Sequence, residues 1–161
     1  MDAQIARVRD RHILMLKRTS GILASIVDYA DPADLRIKRD GPEGWTPLDI
    51  ICHLRDLEGL FIRRAQSVIT EHNPTFITYN VNQLVIDHNY AEQDPHEALA
   101  AFLDERESLI EVFEGIRDDS YWSRSGVHPA YGPQTLLDVL MHVPHHDLDH
   151  IEQMTRVLAQ E

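Results

Sequence analysis

The sequence predicts an all-α fold, a four-helix bundle with a long crossover connection. Three observations carry this. Four segments of roughly 20 to 28 residues place apolar side chains at mixed three- and four-residue spacing, the mark of amphipathic helices. Three of them open on a Thr or Asp followed by an acid at the third position, a helix-start signal. With only seven Gly and few β-branched runs, strands have little to build on.

The first helix runs from about Asp2 to Tyr29 on Ile5, Val8, Met15, Leu16, Ile22, Leu23, Ile26 and Val27, and Asp31-Pro32 ends it. Residues 31–44 are polar and rich in Pro and Gly, and read as a loop. Thr46-Pro47-Leu48-Asp49 opens the second helix with a capping Thr, a Pro at the first helical position and an acid placed as in a capping box. That helix continues through Ile50, His53, Leu54, Leu57, Phe61 and Val68 to about Glu71. Residues 73–94 read as a long connection crossing the bundle, with Thr75 to Tyr79 able to pass for a strand and Asn82 to His88 for a short helix. Asp94-Pro95-His96-Glu97 opens the third helix, which ends near Gly115. Residues 118–133 read as a second long loop. The fourth helix starts at Thr135 and runs to about Leu158. Residues 1–161 are expected to form one domain.

Hydrophobic residues make up 43% and charged residues 26%, as in a soluble globular protein, and the formal net charge is −12. The acidity argues against nucleic acid or an anionic membrane as the main partner. No run approaches the ~20 apolar residues of a membrane span. The single cysteine, Cys52, forms no internal disulfide, and no signal-peptide order opens the chain, so a cytoplasmic location is expected.

Four of the ten histidines fall within His142 to His150. His142, His146 and His150 recur every fourth residue and so share one helix face, along the edge of the apolar arc, while His145 and Asp149 fall toward solvent. His53 sits among Ile50, Leu54, Leu57, Leu60 and Phe61 and should face inward. An i, i+4 histidine pair completed from a second helix gives a three-imidazole site with a coordination position left open. Pro144 removes one backbone donor and should kink the fourth helix between His142 and His146. The bend is either simply tolerated or turns His142 away from the other two. A lone inward histidine is more often a satisfied core residue, so the weight rests on the row.

Gly44-Trp45-Thr46-Pro47-Leu48-Asp49-Ile50-Ile51-Cys52-His53-Leu54-Arg55-Asp56-Leu57-Glu58 resembles the first histidine segment of the DinB/YfiT-like superfamily. Tyr131-Gly132-Pro133-Gln134-Thr135-Leu136, followed by His142-x-x-x-His146-x-x-x-His150-x-x-Gln153, resembles its C-terminal signature. The resemblance implies a four-helix bundle with a long crossover and a divalent metal held by His53, His146 and His150, with His142 a pocket neighbour. The tandem His145-His146 departs from the pattern. Relatives include enzymes using bacillithiol or mycothiol. The implied function is therefore a metal-dependent thiol transferase or hydrolase acting on a small molecule, with a low-molecular-weight thiol as a candidate partner.

Imidazole ligands suit zinc, nickel, copper and iron alike; zinc or nickel is the expected metal, with iron or manganese also admitted. Asp56, one turn from His53, is a candidate to orient that ring, against the plainer reading of a surface acid. Gln153 is a candidate to contact a ligand or to cap polar atoms. Glu58 is expected to be solvated and Cys52 a buried thiol outside the ligand set. Tyr79, Asn82 and His88 are candidates to line the pocket. The competing reading is a non-catalytic, metal-stabilised bundle that forms a homodimer through the first helix. A weaker one is a pH sensor built from the histidines.

Overall fold

The computed structural model describes residues 3–160. The elements are α1 (Ala3–Tyr29), α2 (Asp34–Ile37), α3 (Pro47–Thr70), α4 (Val81–Asp87), α5 (Pro95–Glu114), β1 (Ser125–His128), β2 (Gly132–Thr135) and α6 (Leu136–Leu158). The expected start of the first helix at Asp2 lies outside the described residues. The four long helices match the expected spans to within a residue or two at the described ends.

Their starts follow from local chemistry. Thr46 Oγ1 accepts from Asp49 N at 3.1 Å, and Asp49 Oδ2 accepts from Thr46 N at 2.9 Å. Thr135 and Asp138 repeat this reciprocal capping box at 3.1 and 2.8 Å. Asp94 accepts from His96 N and Glu97 N to open α5.

α3 packs on α5 and α6, and α1 packs on α6 and α5, so α1 and α3 stand at diagonal corners. Directions follow from who touches whom. The starts of α3 and α5 share one apolar cluster, where Leu48 and Leu54 meet Ala98 and Phe102. Their ends share another, where Val68 meets Phe113. These two helices are therefore parallel. α6 runs antiparallel to α3, with His53 against His150 and Phe61 against His142.

The connection over residues 71–94 must then run back along the whole of α3. Ile77 O accepts from Arg64, His88 and Tyr90 donate to Asp56, and Gln93 Oε1 accepts from Cys52 Sγ, each contact nearer the start of α3. This is the long crossover, with α4 riding on it. No helix of the described residues is long and apolar enough to cross a membrane.

Three expectations are corrected. Residues 31–44 are not all loop: α2 forms there because Leu35 finds the core and is fully buried. Residues 118–133 are not a long loop either. A 3₁₀ turn at Asp119–Ser123 buries Trp122, and β1 and β2 form an antiparallel hairpin, Ser125 opposite Thr135 and His128 opposite Gly132. Gly132 at φ +78° supplies the left-handed residue where β2 begins. Thr75 to Tyr79, which could pass for a strand, stays part of the connection and makes a single bridge, Thr75 to Val127, with Phe76 N donating to Val127 O at 2.9 Å.

Glu58 is the third correction, since it is 1% exposed rather than solvated. Arg106 reaches it from α5 with Nη2 at 2.6 Å and Nε at 2.8 Å. The same guanidinium holds both oxygens of Asp147 at 2.7 and 2.9 Å, and Thr19 Oγ1 donates to Asp147 as well. Each long helix thus contributes one polar residue to a buried layer: Thr19, Glu58, Arg106 and Asp147. The layer separates the two apolar clusters. Burial opposes the Arg106 charge, and the Glu58 and Asp147 carboxylates outweigh it, so its pKa stands above the usual arginine value.

Candidate metal centre

α3 places His53 inward, 4% exposed, toward the face of α6 that carries His146 and His150. His146 Nε2 lies 3.2 Å from Nε2 of His53 and 3.2 Å from Nε2 of His150. One ring nitrogen from each of the three falls within 4.8 Å of the others.

The protonation of His150 can be read from its neighbours. Asp40 accepts from Gln153 Nε2 at 2.9 Å, which fixes the amide so that Gln153 Oε1 faces His150 Nδ1 at 2.8 Å. An amide oxygen only accepts, so His150 carries its proton on Nδ1 and aims a lone pair from Nε2 at His146. Arg156 completes the chain by donating to Asp40 at 2.6 Å. These hydrogen bonds hold Asp40 below the usual carboxylate range, Arg156 first and Gln153 second.

The donor set fits a metal. With metal–nitrogen bonds of ~2.0–2.1 Å in a tetrahedron, ligand nitrogens stand ~3.3–3.4 Å apart. Two edges of this cluster measure 3.2 Å. Burial first, and the neighbouring rings second, push His53 down to about 3 and His146 down to about 2. Burial lowers His150 too. All three rings are neutral near pH 7, the form that binds metal.

Trp45 walls one side, 4.7 Å from the His53 ring and stacked at 6.1 Å on His150. On the other side His146 borders a cavity of about 480 Å³. His142 lines the same cavity. Its ring stacks on His146 at 5.8 Å and lies 5.6 Å from Phe61. α6 continues unbroken through Pro144. His142 therefore stays beside His146, one turn before it, outside the converging nitrogens. His145 and Asp149 are exposed, as expected.

Asp56 fits neither expectation. Its carboxylate accepts from His88, Tyr90 and Arg55 and is largely buried under the crossover, turned to these partners and not hydrogen-bonded to His53. Cys52 is buried with its thiol pushed up to about 12, mainly by burial, and stands outside the cluster. Of the three crossover candidates, Tyr79 lines the cavity, His88 lines a separate cleft beside Asp56, and Asn82 is exposed.

Arg64, His128, Tyr131 and Gln134 also line the cavity, none of them foreseen as a site residue although Tyr131 and Gln134 stand within the C-terminal signature. Arg64 was within reach: it follows His53 by eleven residues, about 20° away around the helix. The hairpin residues gave no helical signal to follow.

The protein YfiT of Bacillus subtilis is described as a probable metal-dependent hydrolase with an unusual four-helix bundle topology. Its structure matches with a TM-score of 0.83 at 23% identity, over 92% of this chain and 85% of YfiT. The four-helix bundle protein TT2238 matches at 0.66 and 21% identity, over 92% and 98% of the two chains. A mycothiol-dependent maleylpyruvate isomerase matches at 0.72 and 11% identity. It is matched over 91% of this chain, which spans 60% of the isomerase. No curated protein sequence matches. Residues 15–154 match the family model of the DinB superfamily, and the chain belongs to that superfamily.

Proposed function

We propose that this protein is a divalent-metal-dependent enzyme acting on a small molecule, with His53, His146 and His150 as the metal ligands. The observation that carries this reading is the meeting of three Nε2 atoms, two pairs at 3.2 Å, among neutral rings, that of His53 buried and the other two half-buried. Lone pairs facing one another at that distance repel unless a proton or a cation lies between them.

Zinc or nickel is the proposed ion, since imidazole ligands suit both, and iron or manganese is the alternative. When bound, the metal supplies Lewis acidity at a position open to water, thiol or substrate. The chain's own residues do the rest. Gln153, held by Asp40 and Arg156, keeps the His150 lone pair aimed inward. Trp45 keeps water from one flank. His142, its pKa lowered chiefly by burial, offers a neutral ring on the cavity wall to take a proton from a reacting group. The descriptions of YfiT as a probable metal-dependent hydrolase and of the isomerase as mycothiol-dependent favour hydrolysis or a thiol-dependent reaction.

Metal analysis of protein purified without a histidine tag tests the reading. One divalent ion per chain is expected, lost in a His146→Ala/His150→Ala double variant that still folds. Equal metal uptake by that variant and the wild type overturns the ligand assignment.

A second reading, a metal-stabilised module that dimerises, is favoured by Leu14 and Ile22 on α1, 45% and 44% exposed. Light scattering with and without chelator separates the two. A dimer that a chelator dissolves, with no turnover of thiol or ester probes, supports the module.

A further inference from the structure

The cavity beside the histidines holds a cation and no anion in a chain that is acidic. The sequence holds 27 Asp and Glu against 15 Lys and Arg. Yet Arg64, His128, His142 and His146 line the cavity and no carboxylate does. Arg64 is 8% exposed. Its Nε and Nη2 both donate to the Ile77 carbonyl, at 3.3 and 3.0 Å, and it makes no ion pair among the described residues. The other buried arginine, Arg106, holds two carboxylates.

A guanidinium has five N–H donors. Two of those on Arg64 go to Ile77, which leaves both on Nη1 and one on Nη2, the end-on fork that matches an oxyanion. Burial lowers the Arg64 pKa, and its partners are the neutral Ile77 carbonyl and the Phe61 and Phe76 rings in place of a carboxylate. His128 adds a donor. Its Nδ1 accepts from Ala130 N at 3.1 Å and Tyr131 N at 3.3 Å, so its proton sits on Nε2.

The spacing to the histidine cluster is short. The His146 ring lies 6.4 Å from the Phe61 ring, and Arg64 Cζ lies 5.7 Å over that same ring. Leu57, Leu60 and Val139 complete an apolar wall along the cavity.

We propose that Arg64, assisted by His128, is an oxyanion subsite, and that the substrate is a small organic anion with an apolar body. A carboxylate or phosphate monoester sits at Arg64, a few carbons lie along Leu57 and Phe61, and the reacting end lies at His146. This deepens the reading given above by naming the substrate class, and it rests on that reading for the location of the chemistry.

The test is an NMR titration of the folded protein, both as purified and after chelation, with hexanoate, hexyl phosphate and 1-hexanol. At least one anion is expected to bind about tenfold or more tightly than the alcohol, as charge-assisted hydrogen bonds in a buried site require. The tighter of the two names the oxyanion. Arg64→Met is expected to bring the anions to the level of hexanol, and Arg64→Lys to keep much of the preference. Loss of the Ile77 tether alone would lower the melting temperature without moving that ratio.

Equal binding of all three probes by the wild type, or an intact preference in Arg64→Met, overturns the proposal. Should Arg64→Met not fold, crystals of the wild type with 6-bromohexanoate decide. Bromine density near His146 with the carboxylate on Arg64 supports it, and a carboxylate elsewhere overturns it. Because the chelated protein is included, anion preference without metal uptake sinks only the metal assignment. Metal uptake without anion preference sinks only this one.

Discussion

Replacing Arg106 with Met keeps much of the side-chain volume and removes only the charge at the centre of the polar layer. The four carboxylate oxygens of Glu58 and Asp147 all receive N–H bonds from this one group, at 2.6 to 2.9 Å. Both acids are essentially sealed from water. Deleting one partner of a buried pair costs about 3–5 kcal/mol. With two carboxylates behind one cation, a loss near about 5 kcal/mol is expected, a large fraction of a typical domain's stability. Thr19 still donates to Asp147, so the damage should fall more heavily on Glu58, whose carboxyl burial already pulls above its usual range.

The sign of the pH dependence is fixed by this. An unpaired buried carboxyl has a folded pKa above its unfolded one, so its contribution is present at low pH and lost as pH rises. The deficit of Arg106→Met relative to wild type should therefore shrink between pH 7 and pH 5. Urea unfolding at both pH values measures it. A loss under about 1 kcal/mol at pH 7, or a deficit that grows toward pH 5, refutes the ion-layer account. The triple variant Glu58→Leu/Arg106→Met/Asp147→Leu should regain most of the lost stability, because no charge is then left without water or partner.

Three further outcomes are expected. Chelated protein should lose stability as pH falls below about 6.5. His53 and His146 have folded pKa values depressed to about 3 and about 2, so the unfolded chain takes up protons first, at about 1.4 kcal/mol per pH unit per ring. Melting temperature followed from pH 8 to pH 4 checks this, and a flat profile contradicts it. Gln153→Leu should weaken zinc binding about 10- to 100-fold in a competition titration, since His150 loses the acceptor that fixes its tautomer; unchanged affinity removes Gln153 from the site. Gly126→Ala would set a Cβ 2.3 Å from the Phe76 ring, costing about 1–3 kcal/mol in thermal unfolding. A neutral result there means the bridge between β1 and the crossover is looser than described.

The helices were legible because their information is local. Thr46-x-x-Asp49 and Thr135-x-x-Asp138 announce their own capping boxes, and apolar spacing marks the buried faces. The same periodicity brought His53 toward His146 and His150. Glu58 was misread because its charge outweighed its position. Only Arg106, 48 residues later, makes its burial tolerable, and no local pattern announces such a partner. Asp56 failed in the same way, since its partners His88 and Tyr90 arrive on the crossover. The hairpin was missed because Ser125 to Thr135 carries Gly and Pro in place of alternating apolar residues. Its stability comes from the antiparallel register and from Phe76 lying against Gly126.

The order of helices around the bundle has a kinetic consequence. α1 packs along α6, and Thr19 meets Asp147 across 128 positions of chain. Contacts of such separation place folding among the slower helical topologies, because the intervening chain must be ordered before they reward it. α6 also carries two of the three converging imidazoles. While the ribosome is still making α6, His53 has no companions, and only weak capture of a stray cation is open to it. The cluster assembles in the same event that closes the core, so the proposed metal binding would depend on the completed fold.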